Sequence, residues 1–130
     1  MEDKLAKLIA FHTAFGIGHT SSPDATIPEE IFRLRHRLMA EENDEYLEAC
    51  EAQDLEAIAD ALGDQLYVLC GTMITHGLQD KITAIFDEIH RSNMSKLDEH
   101  GNPVHRADGK VVKSDRYFPP NLKPILSSDT

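Results

Sequence analysis

The chain has 130 residues, with 23 acidic against 13 basic side chains, a formal net charge of −10 at pH 7 and 41% hydrophobic residues. That size suits a single domain with a real core. The acidic balance argues against a nonspecific grip on nucleic acid, which depends on neutralising phosphates with Lys and Arg. Neither a charged-then-apolar leader nor an apolar run of membrane-spanning length is read in the sequence, so the expectation is a soluble, cytoplasmic protein with no nucleic-acid and no membrane partner.

From the N-terminus, Leu5, Leu8, Ile9, His12 and Phe15 recur at helical spacing, and Gly16-Ile17-Gly18 ends that first helix. His12, spaced with Leu8, reads as a structural histidine. A loop rich in Ser, Thr and Pro runs from His19 to Ile27. Pro28 then offers a favourable first-turn position, with Glu29 and Glu30 complementing the dipole of a second helix that runs to about Cys50. A third helix is predicted from about Asp54 to His76, with Gly77 as its stop; it is the most apolar and so the central one. A fourth carries Ile82, Ile85, Phe86 and Ile89, with Asp80 as its expected cap and an end near Lys96. Four helices with short connections predict a bundle. Beyond 97, turn signals at Gly101-Asn102-Pro103 and Asp108-Gly109 flank short Val-bearing segments, predicting a hairpin or ordered loop, and the Pro-containing end reads as an extended tail. Cys50 and Cys70 sit in helical patterns with no CxxC, which predicts reduced, buried thiols.

The chemistry-bearing feature is acidic. Glu41, Glu42 and Glu45 fall on the second helix, and Asp60 and Asp64 on the third. Residues three or four apart share a helix face, so Glu42 can point with Glu45, and Asp60 with Asp64. Acidic residues at this spacing most often form a solvated face. Asp64, however, lies inside the apolar stretch Ala61 to Cys70, which predicts partial burial, and a buried carboxylate needs a cation, a donor or a proton. Hard oxygen ligands in such numbers suit Mg²⁺, for which Mn²⁺ can substitute.

These residues resemble the all-α nucleoside triphosphate pyrophosphohydrolases, specifically MazG-like proteins of the phosphoribosyl-ATP pyrophosphohydrolase type. The resemblance rests on Arg33-Leu34-Arg35 leading into Glu41-Glu42-Asn43-Asp44-Glu45, on Ile58 to Val68 with Gly71, and on Ile89 to Lys96. Arg106 to Lys110, with Lys113, is similar to the subgroup that includes MazG-like dUTP pyrophosphatases. The family metal motif is ExxE on one helix and ExxD on the next. Glu42 and Glu45 match the first half and Asp64 ends the second, but Ala61 stands where the family has Glu; Asp60 is the first candidate substitute and Glu56 the second.

The resemblance implies an all-α four-helix bundle with a short C-terminal hairpin and extended tail, one domain over 1–130 with a helical core to about 97. It implies metal-dependent cleavage of a nucleoside triphosphate, with dUTP or another dNTP as the favoured substrate, to monophosphate and pyrophosphate. Glu41 is then the general base or a support for the ligands; Glu42, Glu45, Asp60 and Asp64 hold the metal. Asn93, Lys96, Arg91, Arg106, Lys110, Lys113, Tyr117 and Phe15 contact substrate, and the chain forms a homodimer. A ferritin-like bundle is disfavoured because it wants two ExxH pairs and the chain offers one DxxH, Asp87 with His90. A noncatalytic nucleotide-binding or acidic interaction protein on the same bundle is the alternative that Ala61 favours.

Overall fold

The computed structural model describes residues 1–128 and is all-α apart from one two-stranded ribbon. The chain packs as two compact units, Met1–Gln79 and the residues from Asp80 onward. The boundary between helical core and tail expected near 97 thus falls inside the second unit. None of the described helices is long and apolar enough to cross a membrane.

In the first unit α1 spans Glu2–Ala14, α2 Glu29–Glu51 and α3 Leu55–Thr75. The centre is α3, which packs against both α1 and α2. Its start is fixed by Asp54, whose carboxylate accepts from the Ala57 amide at 3.1 Å, the usual way of satisfying an otherwise orphaned helix donor. Its end is fixed by Gly77, with φ +69°: the Gly77 and Leu78 amides donate back to the Ile74 and Met73 carbonyls. A Cβ there would lie 1.9 Å from the Ser22 carbonyl oxygen, so only glycine fits. The Ser/Thr/Pro loop is therefore laid against the end of α3. Asp24 donates its amide to the His76 carbonyl, Thr20 donates its amide to the Ile74 carbonyl, and Gln79 Nε2 donates to the Thr20 carbonyl at 2.7 Å.

Only three residues, Ala52 to Asp54, join α2 to α3, with Gln53 taking φ +55°. The pair forms an antiparallel hairpin of helices, as two cross-links show. Gln65 Nε2 donates to Asn43 Oδ1 at 3.1 Å, and Arg35 reaches Val68 and Thr72, so partners run in opposite directions along the two helices. Leu5, Leu8, Ala61, Cys70 and Ile74 are buried, and so is His12, as its spacing predicted. Both cysteines are free thiols, Cys70 buried and Cys50 half-buried.

The second unit holds α4, Ile82–Met94, a ribbon of β1 (Val104–His105) and β2 (Val111–Val112), and α5, Lys123–Ser127. The strands are antiparallel, with Val104 opposite Val112. Two expectations are corrected here. The residue preceding α4 is Lys81, and no side chain caps that helix, so Asp80 is not its cap. The end of the chain is not wholly extended: Pro124 stands in the first turn of α5, where its missing N–H costs nothing. The segment before α5 is tied to α4 by serines, with Ser92 Oγ donating to the Phe118 carbonyl at 2.8 Å and Ser95 Oγ accepting from the Phe118 amide at 3.1 Å.

Candidate metal centre

The antiparallel register of α2 and α3 places three carboxylates together. Ligand atoms of Glu42, Glu45 and Asp64 all lie within 4.8 Å of one another. Glu42 and Asp64 are half-buried, as the apolar surroundings of Asp64 predict, and Glu45 is exposed. Glu42 Oε2 is buried with no hydrogen-bond partner. An orphaned carboxylate oxygen facing two more carboxylates is costly, and a divalent cation would satisfy it. Desolvation raises the Glu42 pKa, and the nearby Glu45, then the charges of Asp64 and Asp60, raise it further. Asp60 thus contributes to the field at Glu42, although it is exposed and lies outside the convergent triad.

Ala61 explains the departure from ExxD. It is 2% exposed, packed into the core of the unit. A longer acidic side chain there would have to leave that packing. Glu41, one residue before the triad, and Glu56 are exposed, and their side chains make no hydrogen bond or ion pair among the described residues.

The residues predicted to contact substrate fall in two places. In the first unit, Phe15 is 69% exposed and stacks on Phe11 with ring centroids 4.5 Å apart; Phe11 also meets Tyr67 edge-on at 5.6 Å. The others lie in the second unit. Arg91 is held by Glu88 at 2.8 Å and its guanidinium lies 4.3 Å from the centre of the Phe118 ring. Arg106 pairs with Asp108 at 3.0 Å across the hairpin turn. Lys113 Nζ sits 4.5 Å from the Tyr117 ring centre, a cation–π pair that presents both side chains together. Lys110 and Asn93 are exposed and Lys96 is half-buried.

The sequence reading missed two features. Ser92 and Ser95, within the motif stretch Ile89 to Lys96, anchor the chain around Phe118. Arg35 is buried, at 8% exposure, and crosses from α2 to α3. The available signal was Gly71: a Cβ there would lie 2.6 Å from Arg35 Nη2 and 3.1 Å from His12 Nε2, so the missing side chain makes room for both.

A family model for phosphoribosyl-ATP pyrophosphohydrolase matches residues 8–93, a span that takes in all of α2 and α3 and both halves of the carboxylate cluster. The chain belongs to this family. It is accordingly a member of the MazG-like all-α pyrophosphohydrolases, a hydrolase fold for nucleotide phosphoanhydrides. The comparison with curated proteins finds no match.

The raised Glu42 pKa sets the sign of a stability test. A carboxyl whose folded pKa lies above its unfolded value loses stability as pH rises from the unfolded pKa through the folded one. Glu42→Gln removes that penalty. In the absence of metal it is expected to melt above wild type at neutral pH, with the difference closing as pH falls into the ordinary carboxylate range. Saturating Mg²⁺ is expected to raise the wild-type melting temperature by mass action and to leave the variant nearly unmoved. Equal metal shifts in the two proteins would remove Glu42 from the site.

Proposed function

We infer that the protein hydrolyses a nucleoside triphosphate to the monophosphate and pyrophosphate in a Mg²⁺-dependent reaction, with Mn²⁺ able to replace Mg²⁺. The observation that supports this most is the convergence of Glu42, Glu45 and Asp64 around the partnerless Glu42 oxygen, in a chain of a pyrophosphohydrolase family. Those three carboxylates would hold the cation, with Asp60 adding charge from the same helix face as Asp64. The cation, when bound, neutralises charge on the leaving pyrophosphate and polarises the attacked phosphate.

The remaining work belongs to the chain's own side chains. In-line cleavage needs a water aligned with one bridging P–O bond and a base to take its proton. Glu41 takes that role: it adjoins Glu42 on α2, is exposed to solvent water, and has no competing partner among the described residues. Lys96, Lys110 and Lys113, with Arg91 and Arg106, are assigned to the phosphates, and Asn93 to sugar or phosphate. Tyr117 or Phe15 is assigned to the base, each offering an aromatic face. A deoxynucleotide such as dUTP is the favoured substrate, and nucleotide-pool cleansing in the cytoplasm the favoured role.

A homodimer accompanies this reading. Leu62, Leu66 and Leu69 follow one another at helical spacing on α3 and are 48%, 38% and 42% exposed, an apolar stripe that a second copy would cover. Sedimentation as a concentration-independent monomer would contradict it.

The decisive assay is product analysis over a panel of NTPs and dNTPs, with and without Mg²⁺ or Mn²⁺. Monophosphate and pyrophosphate are expected to appear only with metal. Glu42→Ala is expected to cost on the order of 100-fold or more in turnover, since changing even the outer support of a metal site costs about 10–100-fold. Glu41→Gln is expected to lose on the order of 100-fold or more in kcat while keeping the metal-induced rise in melting temperature, the signature of a base rather than a ligand. Metal binding without turnover of any nucleotide would move the reading to a noncatalytic nucleotide-binding protein.

A further inference from the structure

His12 is 1% exposed, and its Nδ1 is buried with no hydrogen-bond partner. Its neighbour from α2 is the buried Arg35. Arg35 Nη2 and His12 Nε2 would lie 2.6 and 3.1 Å from a Cβ at Gly71, so guanidinium and imidazole close around the same missing side chain. The loop that follows α1 is the other neighbour: the Ile17 amide donates to the His12 carbonyl at 2.8 Å, and the His19 ring centre lies 6.3 Å from that of His12.

The charges around the ring are of one sign. From α2 comes Arg35, a permanent cation, and from the loop the exposed His19. From α3 come Gly71 and, beside it in sequence, Cys70, a thiol that burial keeps protonated. The Gly18 backbone favours a charged ring, but burial and then the Arg35 charge outweigh it and hold His12 toward the neutral form. No carboxylate acts on it among the described residues. A protonated His12 would therefore set a second cation against Arg35 where water does not reach, a cost that no partner offsets.

The loop is the element that can yield. Of residues 17–27 only Ile27 is buried, and the rest is tied to the end of α3 by single polar contacts, from the Thr20 amide to the Ile74 carbonyl at 3.2 Å and from the Asp24 amide to the His76 carbonyl at 2.9 Å. A cavity of about 310 Å³, lined by Ile17, His19, Thr20, Ile31 and Arg35 among others, separates part of the loop from α2, so opening there loses little packing. The other titratable groups of the loop contact do not serve as the trigger. His76 Nδ1 meets the Asp24 carbonyl at 2.9 Å as a donor, a bond that protonation leaves in place. The Asp24 carboxylate accepts from the Thr26 amide and hydroxyl, which hold its pKa below the ordinary range.

We propose that His12 is the sensor of an acid-sensitive latch: proton uptake by His12 releases residues 17–27 from the end of α3, letting water reach the ring. The latch stands independently of the nucleotide-hydrolysis reading. Its sign follows from linkage. A histidine disfavoured as a cation in the closed form stabilises that form above the ordinary histidine pKa and loses this as pH falls below it. The opening constant is then expected to rise by up to about tenfold for each pH unit below about 6.5, until the closed form itself takes the proton.

NMR on the full chain tests this by following the His12 ring protons and the exchange protection of the Thr20 and Asp24 amides as pH is lowered. His12 is expected to titrate below the ordinary histidine range, with both loop amides losing protection in step while amides in the middle of α3 keep theirs. His12→Phe, which keeps a ring but cannot take a proton, is expected to abolish the acid-dependent loss; His12→Gln carries the same expectation if the Phe variant does not fold. His19→Gln is expected to keep it. Titration of His12 in the ordinary range, loop protection unchanged while His12 takes its proton, loss of α3 protection together with the loop, or opening that persists without His12 would each overturn the latch.

Discussion

The antiparallel register of α2 and α3 is the constraint on which the site depends. It is set by a three-residue connection whose cap is Asp54, by the Asn43 to Gln65 hydrogen bond, and by Arg35 reaching across to Val68 and Thr72. A slip of one residue along either helix turns each side chain by about 100° and would carry Glu42 and Glu45 away from Asp64. The cross-links are polar and directional, which is why they fix register where apolar packing alone would tolerate sliding. Gly71 and Ala61 serve the same end by being small: one leaves space for Arg35 and His12, the other lets the helices close near the carboxylates.

Close packing and clustered charge pull against each other at this seam. Burial and then the neighbouring carboxylates raise the Glu42 pKa, and Arg35 is buried with no carboxylate partner among the described residues. The cluster leaves one buried oxygen of Glu42 without a hydrogen-bond partner, a demand that a cation would meet. Binding of a cation there would relieve electrostatic cost that folding leaves in place, an arrangement common at functional sites.

The helices were legible because their apolar residues recur at helical spacing and their ends carry recognisable signals, Pro28, Asp54 and Gly77 among them. The carboxylate cluster was legible for the same reason: helical spacing predicts which acids share a face, and the short connection predicts that the two helices meet. The role of Arg35 was not, because its burial depends on the absence of a side chain at Gly71 on the other helix, a contact between positions far apart in the chain. Asp80 failed as a cap because the helix begins after Lys81, and α5 was hidden by Pro124, which suits a first helical turn as well as an extended tail. Asp60 shares the face of Asp64, yet periodicity alone could not show that its carboxylate stops short of the triad.

The central claim is that Glu42, Glu45 and Asp64 form one metal site whose occupation discharges the proton burden on Glu42. Calorimetric titration of Mg²⁺ or Mn²⁺ into the wild-type protein, in two buffers of different ionisation enthalpy at a mildly acidic pH, tests it most directly. The account predicts one class of site, with protons released on binding and the release abolished by Glu42→Gln. Binding with no proton release, or release unchanged in the variant, would contradict it.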